Sequence, residues 1–189
     1  MALTKYPIDY IQTAKDREMR THAMTFVHEI AFGISPLDER KYKRNRHLWC
    51  YDTKTLQAVE LWLNSLNVIG NPNFGSFADF EKLYDFVLGQ IGTITGISNV
   101  EVYDVSLYLG ERMTPQIVPS DYVYVHGKLV EAARHYLKHF GVSIDKNGPR
   151  YRIKATVFGQ IYVAISNNPY AARAIEEWLC NEHDEIMKI

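Results

Sequence analysis

The sequence predicts a mainly α-helical domain over residues 1–189, built around two helices joined by a tight glycine turn. Three observations carry this. Apolar residues recur every three or four positions in most of the chain, which is the period of a helix with one buried face. Glycine, proline and asparagine fall between those stretches rather than inside them. With 47% hydrophobic and 13% aromatic residues, the 189-residue chain can close a sizeable core, which excludes global disorder.

Residues 8–32 make the first helix, with Met19, Ala23, Phe26 and Ile30 on its inner face and Gly33 and Pro36 ending it. Residues 35–50 are polar and charged without a helical period, and are expected as a long loop. Asp52 or Thr53 caps the next helix, which buries Leu56, Val59, Leu63 and Leu66 and stops at Gly70. Ser76 caps a third helix, whose apolar side is Phe77, Phe80, Leu83 or Tyr84, Val87 and Ile91. The turn GTITGIS leads into a helix from about Asn99 to Arg112, with Val102, Val105, Leu109 and Met113 inside.

Pro115 and Pro119 interrupt the chain, since each lacks an amide donor. A helix over 127–140 then uses Leu129, Ala133, Leu137 and Phe140. Residues 151–166 support two readings. Their alternation suits a small β-hairpin, whereas their helical surroundings suit a helix. Asn168 and Pro169 start a last helix to about Met187, with Cys180 in its core face.

Charge and motif content limit the function. The formal net charge is −1 with a pI near 6.7, so a uniformly basic nucleic-acid coat is excluded, while a local patch is not. Two cysteines without a CxxC partner make no disulfide framework. The first twenty residues have no apolar signal region, and no apolar run reaches the roughly 18 residues needed to span a bilayer. These features predict a cytoplasmic protein without a membrane partner. The histidines form no HxH or HxxxH pattern, and phosphate-cradling glycine loops are missing, so neither a metal site nor a cofactor is expected.

The turn is the most informative feature. In a helix-hairpin-helix, here residues 76–112, backbone amides at a glycine turn face a DNA phosphate where the second helix begins. Gly96, Ser98 and Asn99 would present those amides, with Gly96 at positive φ. The basic run from Glu39 to His47 adds Arg40, Lys41, Lys43, Arg44 and Arg46, five cations against one Glu. Those cations would hold the DNA phosphate backbone or a small anionic ligand. The same run also suits a solvated loop facing the acidic C-terminal helix.

The order GISNVEVYDVSLYLGERMTPQIVPSDYVYVHGKLVEAARHY resembles the core of helix-hairpin-helix DNA glycosylases. It is most similar to an uncharacterised bacterial group of helix-hairpin-helix-like proteins that pairs VYD after the hairpin with VYxH downstream, here Val102–Asp104 and Val123–His126. The resemblance implies DNA binding. It also places Tyr124 where the glycosylase aspartate belongs, with Asp121 three residues earlier and no lysine opening the post-hairpin helix. Glycosylase activity therefore does not follow from it.

A second function stays open beside DNA binding. Tyr103, Asp104, Asp121, Tyr124 and His126 would line a pocket for a small molecule or nucleotide, with Asp104 orienting His126 as a base. A buried hydrogen-bonded network that only holds the fold would use the same residue types.

Overall fold

The computed structural model describes residues 3–24, 27–37, 52–66, 77–142 and 152–189. The protein is mainly α-helical with one small antiparallel β pair. Its residues group into two compact units, 1–16 with 119–189, and 17–118.

In residues 17–118 the helices are most of α1 (Ile11–Ala23), α2 (Val27–Phe32), α3 (Thr53–Ser65), α4 (Phe80–Ile91) and α5 (Asn99–Glu111). Gly33, at φ 59°, ends α2. The Ile34 amide reaches the Glu29 carbonyl and the Gly33 amide the Ile30 carbonyl, so two otherwise orphaned acceptors are satisfied. Asp52 caps α3 by accepting from the Thr55 amide at 2.7 Å, a bond that also holds its carboxyl below the ordinary range. Leu56, Val59 and Leu63 are buried as expected.

Helix α4 is capped by Asp79, which accepts from the Lys82 amide at 2.8 Å. Ser76, the expected cap, lies outside the described residues, and the helix starts at Phe80. Phe80, Leu83, Tyr84, Val87 and Ile91 form its buried side. Helix α5 differs from a half-buried helix, because every residue from Glu101 to Glu111 is buried. It packs along α4 and also meets α2.

The buried face of α1 is not the expected one. Met19 is 61% exposed, while Ala14 and Thr21, like Tyr10 in the turn just before the helix, are buried and the Arg17 side chain is 14% exposed. These four recur at helical spacing, yet Arg17 and Thr21 are polar, so hydrophobic periodicity pointed to the neighbouring stripe.

The other unit gathers a 3-10 turn at Pro7–Tyr10, β1 (Tyr122–Tyr124), α6 (Lys128–His139), β2 (Arg152–Lys154), α7 (Gln160–Val163), α8 (Ala171–Asn181) and α9 (His183–Ile186). Its core centres on Trp178, which is fully buried, meets the Tyr136 ring edge-on at 5.0 Å, and donates Nε1–H to the Lys5 carbonyl. The Tyr10 hydroxyl donates to Glu182. That bond and burial push the phenol well above its usual range, with burial the larger cause.

The strand expected at the start of 151–166 is present, but its partner is different. Val123 stands opposite Ile153, and residues 155–163 continue as a 3-10 turn and α7 rather than returning as a second strand. The Phe158–Gly159 bend makes that return unnecessary, since Phe158 enters the core and Gly159 takes φ 59°. Phe140, expected inside α6, is 61% exposed at its end. The last helix begins at Ala171 and breaks at Glu182, with Asn168 capping the approach by accepting from the Tyr170 amide at 2.9 Å. Cys180 is half-buried against the core.

Candidate functional site

The hairpin is built by three local choices. Gly92 caps α4 by donating to the Leu88 carbonyl at 2.9 Å. Short bonds from Ile94 to Ile91 and from Ile97 to Ile94 then reverse the chain, with Gly96 at φ 92°, a conformation that favours glycine. Ser98 closes the turn as the cap of α5, its hydroxyl accepting from the Val100 amide at 3.3 Å. Helix α5 therefore starts at Asn99, and no continuous helix runs through residues 90–105.

The hairpin is held from below and open above. Thr55 at the start of α3 donates its hydroxyl to the Thr95 carbonyl at 3.3 Å. A Cβ at position 96 would come within 3.0 Å of that hydroxyl. Thr93, Thr95, Gly96 and Ser98 are exposed. Among the described residues, the Thr95 and Gly96 amides donate no hydrogen bond. Two exposed residues whose amides are not used in the turn thus lie beside the N-terminus of a thirteen-residue helix, its positive end.

Beneath this end lies a buried acid cluster. Arg17 places Nη2 2.7 Å from Asp104 Oδ1, and its guanidinium lies over the Tyr103 ring at 5.9 Å from the centroid. Glu101, one turn before Asp104, is 0% exposed, and neither of its carboxyl oxygens finds a hydrogen-bond partner among the described residues. Burial, and secondarily the Asp104 charge, push the Glu101 carboxyl up to about 9. At neutral pH it is therefore a neutral acid. It adds no negative charge to the first turn of α5, so the dipole of that turn stays available to an outside anion.

The expected site residues divide. Gly96, Ser98 and Asn99 come together in the hairpin. Arg40, Lys41, Lys43, Arg44 and Arg46 lie outside the described residues. Tyr103 and Asp104 belong to the unit of residues 17–118, and Asp121, Tyr124 and His126 to the other. Tyr124 and His126 are buried, and Asp121 is exposed.

Sequence reasoning missed Arg17 and Glu101. Nothing local marks Arg17, which lies 87 positions from its partner. Glu101 carried a signal, since Ser98 and Glu101 have capping-box spacing, but that pattern suggests a solvated cap rather than an enclosed acid.

Among the described residues no group of His, Cys, Asp and Glu could hold a metal ion, and no helix is long and apolar enough to cross a membrane. No protein-family model, curated protein or solved structure matches the chain.

Proposed function

We propose that this chain is a cytoplasmic DNA-binding protein of helix-hairpin-helix type, which holds the phosphate backbone at the 92–98 hairpin. The observation that carries the reading is the exposed Thr95–Gly96 pair beside the N-terminus of α5, whose amides donate no hydrogen bond among the described residues. Backbone amides at such an end bind phosphate oxygens without regard to sequence. The neutral state of Glu101 supports it, because an ionised carboxylate in that turn would repel phosphate. The basic run 40–47 supplies cations of the kind that hold phosphates.

Binding is then weak, sequence-tolerant and steeply salt-dependent. Fluorescence anisotropy with a DNA duplex tests it at low and moderate salt. Replacing Gly96 by Val, which cannot easily hold φ 92°, should weaken binding. Replacing Lys41, Lys43, Arg44 and Arg46 together by Ser should lower both affinity and salt slope. An unmodified protein that fails to bind at low salt ends the proposal.

A further inference from the structure

We infer that Glu101, Asp104 and Arg17 form a proton-held latch under the hairpin: the enclosed neutral carboxyl of Glu101 keeps the first turn of α5 closed, and its ionisation releases that turn with residues 92–98. The latch stands whether or not the hairpin binds DNA.

The enclosed charges under the hairpin do not match. Glu101 and Asp104 lie three residues apart on α5, hence on one side of the helix, and both are 0% exposed. Arg17 from α1 meets Asp104 at 2.7 Å, and among the described residues no cation acts on Glu101. One guanidinium balances one carboxylate, so a second negative charge on Glu101 would be enclosed with neither counter-ion nor hydrogen bond among the described residues.

The helices packed against α5 offer little relief. Helix α4 carries Glu81, Lys82, Tyr84 and Asp85, and α2 carries His28 and Glu29. Among the described residues, however, only Asp104 acts on the Glu101 carboxyl through charge, and it acts to keep the proton on. Glu101 can therefore ionise only by reaching water. It sits in the first turn, where α5 has fewest internal hydrogen bonds, so the cheapest route to water is to open that turn.

Amide hydrogen exchange of residues 99–104, without DNA, tests the latch. Base-catalysed exchange alone quickens about tenfold per pH unit. Loss of one proton on opening adds another factor of about ten per unit between roughly pH 6 and 9, giving about a hundredfold. Glu101→Gln removes the proton and should return these amides to the tenfold slope. Amides of residues 171–181 in α8 should show the tenfold slope in both proteins. As a second measurement, isotope-edited infrared spectra should show a protonated carboxyl band at neutral pH that is absent from Glu101→Gln. If that variant does not fold, the unmodified protein still decides, by its slope and by the loss of the band near pH 9. A tenfold slope for residues 99–104 in the unmodified protein, or no protonated band at neutral pH, overturns the latch.

Discussion

Arg17 and Asp104 are 87 positions apart in the chain and form a 2.7 Å ion pair whose carboxylate is fully enclosed. The pair ties α1 to α5 at a point where no apolar contact could be made by either residue's end group. Breaking it from one side takes the guanidinium away from an enclosed carboxylate. Arg17→Met should therefore cost about 3–5 kcal/mol, measured by urea unfolding. The double variant Arg17→Met with Asp104→Leu should recover most of that loss, because it removes both charges. A double variant no more stable than Arg17→Met alone would show that the pair is not what couples these positions.

Glu101 gives stability an unusual pH dependence. Its carboxyl stands near 9 in the folded protein against 4.5 as its ordinary value. A raised acid favours the fold most below its unfolded value, and that advantage is lost as pH rises toward the folded value. Between pH 4.5 and 7 the loss is about 3 kcal/mol for a single group. Glu101→Gln keeps the shape without the ionisation. It should be more stable than the parent at pH 7 by up to about that amount, with the gap widening toward pH 9. Thermal melts across that range that run parallel for the two proteins would contradict it.

Two glycines make opposite predictions. A Cβ on Gly110 would sit 1.9 Å from the Ile117 carbonyl oxygen, whose own amide donates back to the Gly110 carbonyl at 2.9 Å. The returning chain after α5 rests directly on that glycine, so Gly110→Ala should destabilise by about 3 kcal/mol. Gly89 lies within α4 with nothing within 4 Å of its missing Cβ. Gly89→Ala should stabilise by about 0.5–1 kcal/mol, because alanine loses less backbone entropy in a helix. Chemical denaturation of both variants checks the pair of signs.

Which parts of this structure the sequence displays follows from what kind of force makes them. Helices α3 and α4 each bury one apolar stripe, and Leu56, Val59, Leu63, Leu83 and Val87 announce it by spacing. The ITGISN turn is equally visible, because positive φ demands glycine and a helix start favours serine. Helix α1 misleads because its inner face ends in Arg17 and Thr21, a polar stripe whose logic lies in Asp104 far along the chain. Residues 152–154 alternate as a strand should, yet pairing with 122–124 or with 161–165 is a matter of tertiary contact that alternation does not encode. The acid cluster is the hardest to see. Glu101 looks like a surface cap until the burial of α5 from Glu101 to Glu111 is known.

No base excision is expected at Val123–His126. Helix-hairpin-helix glycosylases need a carboxylate to stabilise an electron-poor sugar in the transition state. If the proposed resemblance holds, Tyr124, buried in β1 opposite Arg152, would take that position, and a phenol is no carboxylate. Asp121 is the nearest carboxylate before it. Its backbone carbonyl accepts from the Ala155 amide at 2.8 Å, which fixes it at the edge of the β pair. Three residues of strand separate the two positions by roughly 10 Å, far more than a catalytic group can be displaced and still act. Duplexes carrying uracil, 8-oxoguanine or alkylated adenine should therefore keep every base after incubation with the protein. Excision that Asp121→Asn abolishes would place the working carboxylate at Asp121 and refute the register on Tyr124; excision that survives Asp121→Asn would refute the need for either residue.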